Sequence, residues 1–365
     1  MLKHVAVATV MLASPAMAQD GAWRVKGDRA ALPAAKLALP ARAGALALTQ
    51  MDEASNKGQG LDNFAQFQSA DGQVQGTAYV YRAILPDAAL AAYATDRAIR
   101  ARFGPSLTAE SPASVPLAGQ PGRALRHLYS TDKLATGAAF VSVGPWLLKV
   151  RVSGPVARRA EVAGALDALL AGVRLDRDAF AMPVQPLSFD TPCPAPAAEA
   201  KPLESDGMDA EALLGMLMGG KSMKKAVKSR PITNPNQLPF PSSGYKRACV
   251  RGTIRVAGGG DALEFIQPAG VAEPDAVLAA LNDAGGVLAI QRSQLEPGFT
   301  VRRYGIGQVD QLGKLDRLPG VAQLGGWLGQ KDAPALVLRS RTVYKADGTS
   351  SLQLPGGLQV QATKR

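Results

Sequence analysis

Few residues in this chain have both the type and the spacing that chemistry requires. Gly215-Met216-Leu217-Met218-Gly219-Gly220-Lys221-Ser222 fits the GxxxxGK[ST] pattern of a phosphate loop. A working loop of that kind leaves a buried strand and enters a helix, so that its backbone N–H groups converge on phosphate. Here Asp209–Leu214 reads as helical, and Lys224-Lys225 followed by Pro231 leaves little room for a second helix. The segment reads instead as a helix closed by Gly219-Gly220, with Lys221, Lys224 and Lys225 near its negative end. Met208, Met216, Met218 and Met223 could offer thioethers to Cu(I). Without neighbouring histidines they read as apolar packing on a short helix, and no metal or cofactor is expected.

Histidine is scarcer still. His4 lies in the apparent leader, which leaves His127 as the one imidazole of the mature chain. That excludes HExxH and other multi-histidine metal sites. In its strand His127 shares a face with Leu125 and Tyr129, as a partly buried sheet histidine does, and no GxSxG elbow accompanies it. Ser130-Thr131-Asp132-Lys133 and Ser222-Met223-Lys224-Lys225 match SxxK, but no KTG follows either. Asp52-Glu53 adjoin a polar, Gly-containing loop from Asn56 to Gly60 that reads as a solvated turn. No catalytic residue is nominated. A hydrolase of envelope polymer, working through carboxylates whose pairing depends on the fold, stands as the alternative.

The opening MLKHVAVATVMLASPAMA supplies Lys3, an apolar run from Val5 to Ala13 and the small-x-small signal Ala16-Met17-Ala18. These are the parts of a cleavable secretory signal over 1–18, and the run is well short of the roughly 20 residues a spanning helix needs. Export into an oxidising periplasmic or extracellular space makes a Cys193–Cys249 disulfide the expected state of the two cysteines. The 365-residue chain carries a formal charge of +11, so its expected partner is an envelope protein or an anionic polymer. Aromatic residues are only 5%, which disfavours a nucleic-acid stacking platform.

The elements that must position these residues read as α+β. Two domains are expected, each an antiparallel sheet with helices packed on one face, covering 19–176 and 247–365. A Pro-rich linker over 177–246, with a short amphipathic helix inside it, joins them. In the first domain, strands are expected at 36–39, 45–50, 63–69, 77–84, 123–130, 137–143 and 146–153. One helix runs from an Asp87 cap to Phe103, and another follows Pro155. Along 146–153, Trp146, Leu148, Val150 and Val152 share one face while Lys149 and Arg151 share the other. In element order alone this layout resembles the small sandwiches of the PsbP/Mog1 type. In the second domain, strands are expected at 250–256, 263–266, 287–290, 300–306, 335–343 and 351–354, with short helices at 275–282 and 321–328. The expected partner-binding residues are Lys149 and Arg151 on the sheet, or Met216, Met218, Lys221, Lys224 and Lys225 in the linker. The protein as a whole reads as an exported, non-catalytic interaction protein.

Overall fold

The computed structural model describes residues 22–55, 59–189, 193, 198–203, 247–255, 262–268, 276–293, 297–328, 336–356 and 359–362. The leader and the Met216–Lys225 segment lie outside these residues. A small sheet opens the chain, with β1 (Arg24–Lys26), β2 (Arg29–Leu32) and β3 (Leu37–Pro40). There follow β4 (Arg42–Ala43), β5 (Leu46–Glu53), β6 (Asp62–Ser69) and β7 (Gln75–Tyr81). Helix α1 (Ala88–Phe103) leads to β8 (Thr108–Ala109), β9 (Ala113–Leu117), β10 (Gln120–Ser130), β11 (Leu134–Val143) and β12 (Trp146–Pro155). Helix α2 (Arg159–Gly172) and β13 (Arg174–Leu175) close the unit, with β13 returning to β3. The large sheet runs in the order β4-β5-β6-β7-β12-β11-β10-β8, with β9 also on β10.

The two helices lie on opposite faces of this sheet, which corrects the expectation that both share one. The α2 residues Val162, Leu166, Leu169 and Leu170 join Val141, Leu148, Val150 and Val152 in one core. The α1 alanines 88, 89, 91 and 92 join Leu125, Ala138, Phe140 and Leu147 in another. Central strand β11 is buried along nearly its whole length, as a strand covered on both sides must be. The α1 start follows from capping, because the Asp87 side chain accepts from the N–H groups of Ala89 and Leu90 at 3.0 Å each.

The second unit is an antiparallel meander. It comprises β14 (Pro202–Leu203), β15 (Ala248–Ile254), β16 (Leu263–Pro268), β17 (Ala276–Ala280), β18 (Val287–Arg292), β19 (Phe299–Tyr304) and β20 (Gln308–Leu315). Helix α3 (Val321–Leu328), β21 (Ser340–Tyr344), β22 (Ser350–Gln353) and β23 (Gln359–Ala362) complete it. Strands β15 to β23 pair in chain order, and β14 adds to β20. The expected helix over 275–282 is in fact strand β17. Its Ala-Val-Leu-Ala-Ala run is buried on both faces, with Val277 and Ala279 toward one core and Leu278 toward another. A short, uniformly apolar run does not distinguish a buried strand from a helix by period. Strand β20 was not foreseen, because Asp310, Gln311 and Lys314 make it look like a loop. Asp310 is nevertheless fully buried, where it accepts from the Arg341 Nε at 2.6 Å and also pairs with Arg303.

Helix α3 covers one face of the meander. The other face meets the first unit: Ile266, Leu278, Val287, Ala289 and Tyr304 pack on Ile84, Leu85 and Leu90. Residues 82–84 also bond to 305–307, through a bridge between Ala83 and Ile306 and a 2.9 Å bond from Gly307 N to the Arg82 carbonyl. Gly285, with φ +85°, turns the β17–β18 hairpin against Ala83, where a β-carbon would stand 2.7 Å from the Ala83 methyl. The described linker residues are held rather than free. Ala181, Met182 and Val184 are buried on the first unit, β14 joins the second, and Cys193 and Cys249 form a disulfide.

Leu90 is the buried α1 side chain in the seam core, with Tyr93 packed at its margin. Leu90→Ala is expected to lower unfolding stability by about 2–5 kcal/mol. Urea melts would check this, and a loss below about 1 kcal/mol would mean that the seam contributes little to folding.

Candidate functional site

Helix α1 covers β10 and β11; Tyr81, Leu147 and Lys149 are buried with it and the β17–β18 turn, and the same face of β5, β6 and the neighbouring parts of β7 and β12 is left open. Antiparallel register arranges that face in rows, because paired residues point to the same side. One row is Asp62, Tyr81 and Leu147, and the next is Asp52, Phe64, Tyr79 and Lys149. The third is Gln50, Gln66, Thr77 and Arg151. Gln50, Asp52 and Gln66 are exposed, whereas Phe64, Thr77, Tyr79 and Arg151 are half-buried. Tyr79 and Tyr81 stack with ring centroids 5.8 Å apart. The β17–β18 turn closes one end, where Asp283 pairs with Lys149.

The two basic residues expected on this face therefore have different fates. Lys149 and Arg151 do share the side opposite Trp146, Leu148, Val150 and Val152. Lys149, however, is only 5% exposed, bound to Asp283 and 5.6 Å from the Tyr79 ring centroid, so it is spent on the seam. That corrects its expected role at an open basic surface. The Arg151 side chain has no ion pair or hydrogen bond among the described residues and keeps its guanidinium available. Met216, Met218, Lys221, Lys224 and Lys225 lie outside the described residues. The paired Cys193 and Cys249 tie the linker to β15, with a Cα separation of 5.2 Å.

His127 is buried at the α1 side of the same face. Its Nδ1 lies 2.9 Å from the Tyr129 hydroxyl, which donates to Asp96 at 3.1 Å, and Arg100 donates to the other Asp96 oxygen at 2.7 Å. A carboxylate only accepts, so the tyrosine proton points to Asp96 and His127 Nδ1–H must donate to the tyrosine oxygen. Nε2 is then a buried lone pair, and no partner among the described residues reaches it. Burial pushes the imidazole below its ordinary pKa and the Tyr129 hydroxyl well above its own. The chain of bonds fastens α1 to β10, which is a structural role.

Two other places are relevant to catalysis. Glu53 Oε1 accepts from the N–H groups of Ser55, Gly60 and Leu61 at 3.0–3.3 Å and so shapes the turn that begins at Ala54. Asp62 is pushed above the usual carboxylate range, first by burial and then by the Glu53 charge. Sequence reasoning missed Asp62, because only the β5–β6 pairing brings it beside Glu53. On the α2 side, an open cavity of about 400 Å³ is lined by Glu110, Leu128, Ala135, Arg159 and Val162. Its one carboxylate is neutralised by Arg159 at 2.6 Å. Among the described residues no group of three or more His, Cys, Asp or Glu is placed to hold a metal ion. No described helix is long and apolar enough to cross a membrane.

No protein-family profile matches the chain, and no curated protein sequence matches it. Among solved structures, the solution structure of cyanobacterial PsbP (CyanoP) from Synechocystis sp. PCC 6803 is 12% identical. That alignment covers 45% of this chain and 99% of the other, with a TM-score of 0.30. A crystal structure from Bacteroides thetaiotaomicron VPI-5482 is 6% identical over 76% of this chain and 88% of its own, with a TM-score of 0.24. Both scores are too low to carry an argument about this chain.

The buried histidine has a pH consequence. Its folded pKa is depressed, so its contribution to stability is complete above the unfolded value near 6.5 and declines as pH falls below it. The stability advantage of wild type over His127→Gln is expected to shrink between about pH 7 and pH 5. Paired denaturation curves would measure it, and a constant difference would refute the assignment.

Proposed function

We propose that this is an exported, non-catalytic binding protein of the bacterial envelope that engages its partner through the open face of the first sheet. The observation that carries this reading is Arg151, a half-buried guanidinium without a partner among the described residues, beside exposed amides and half-buried aromatic rings. A charge kept partly out of water and left unpaired is costly unless something supplies the counter-charge. The leader-like segment 1–18 and the disulfide support a compartment outside the cytoplasm. The charge of +11 favours an anionic partner. The basic segment with Met216, Met218, Lys221, Lys224 and Lys225 offers a second contact.

The test is co-sedimentation of the mature chain with insoluble envelope polymer. Arg151→Glu is expected to lower retention about tenfold, since one charged hydrogen-bonding contact is worth about 1.5–3 kcal/mol. A chain lacking 208–230 separates the two contacts. Retention that survives Arg151→Glu and is lost with the deletion would move the site to the linker.

A second reading, a hydrolase of the same polymer, is favoured by Asp62. Asp52 and Asp62 are diagonal neighbours on the open face, with backbones roughly 7–8 Å apart. Burial and the Glu53 charge raise the Asp62 pKa, and two carboxyl groups on one face, one of them so raised, are the layout of an acid–base pair. Incubation with envelope polysaccharide should release reducing ends if this is right, and Asp62→Asn should abolish the release. No release from the wild-type chain ends this reading.

A further inference from the structure

We infer that the open face takes a linear polysaccharide in which a carboxylate-bearing sugar alternates with a neutral one. This rests on the reading of that face as the binding surface. Phe64 and Tyr79 are directly paired across β6 and β7, so their Cβ atoms lie roughly 5 Å apart, and Tyr79 also stacks on Tyr81. Both are half-buried on the open face and would offer an apolar platform roughly one pyranose wide, suited to the C–H face of a sugar. Arg151 is diagonal to Tyr79, roughly 7–8 Å away along the neighbouring strand. A ring resting on the platform therefore brings the carboxylate of the adjoining sugar to the guanidinium, whose fork matches its two oxygens.

The remaining groups favour a sugar over other anions. Gln66 and Thr77 continue the Arg151 row alongside the platform and offer neutral donors and acceptors, which suit hydroxyl groups. Asp52 and Asp62 border the other side of the platform. Their carboxylates repel a chain charged at every unit, such as polyphosphate or nucleic acid, but can accept from the hydroxyls of a neutral sugar. Charge thus changes sign across the platform, from acidic beside Phe64 to basic at Arg151. An alternating polymer matches that polarity. A peptide strand would instead need a free sheet edge, and these residues lie on a face.

The experiment titrates the full chain with three probes: a hyaluronan hexasaccharide, fully N-acetylated chitohexaose as its neutral counterpart, and polyphosphate as charge alone. The hyaluronan oligomer is expected to bind at least about tenfold more tightly than either of the others. Arg151→Gln should remove the preference over chitohexaose, and Tyr79→Ala should weaken both sugars. Gln66→Glu, at an exposed position, should weaken the hyaluronan oligomer without touching the core and covers the case in which Tyr79→Ala fails to fold. Equal binding of polyphosphate, or a hyaluronan affinity indifferent to Arg151→Gln and Gln66→Glu, overturns the inference. If the hexasaccharide does not bind while envelope polymer is still retained through Arg151, the sugar class is wrong and the binding face stands. If both are lost, both readings fall.

Discussion

The arrangement of the two sheets depends on burying the first turns of α1 from every side. Ala88, Ala89, Leu90, Ala91 and Ala92 are consecutive and all buried. At about 3.6 residues per turn, five successive positions point in every direction around the axis, so one sheet alone cannot cover them. The alanines meet the first sheet and Leu90 meets the second, which makes the helix a wedge shared by both. Small side chains on one side allow the close approach to β10 and β11. The seam thus extends the packing that orders the first sheet, and a helix without a marked apolar stripe is what such a wedge requires.

Polar groups then set the detail. Lys149 and Asp283 join across the seam, as do Arg97 and Glu264 at 2.8 Å. Glu264 is pushed above the ordinary carboxylate range by burial, so its pair carries a desolvation cost that offsets much of its attraction. These pairs specify how the units register, while the apolar contacts around Leu90 supply most of the stabilisation. The hairpin turn at Gly285 reinforces the same register, because only a residue without a side chain fits against Ala83.

Much of this was legible in the residues. Asp87 and Gly104 bounded α1 correctly, the alternation from Trp146 to Val152 assigned the faces of β12, and two cysteines in a chain read as exported foretold their bond. What was hidden depended on neighbours distant in sequence. Residues 276–280 became a strand because β16 and β18 flank them on both sides, overriding the helical preference of Ala and Leu. Strand β20 carries Asp310, which is tolerable in a core only because Arg303 and Arg341 arrive on adjacent strands. A single strand's pattern contains neither partner.

The face with Lys149 and Arg151 shows why local pattern identifies a surface but not its use. Both residues alternate outward on β12 with the same chemistry, two positions apart. What separates them is that the β17–β18 turn, more than a hundred residues away, reaches one and stops short of the other. Because that turn is held by the α1 wedge, the packing that buries Leu90 also decides which cation is left unpaired among the described residues. The open strip is therefore as wide as the seam allows. A loosened seam would release Lys149 and widen the basic end, so the charge of the open face and the contact between the sheets are coupled through one side chain.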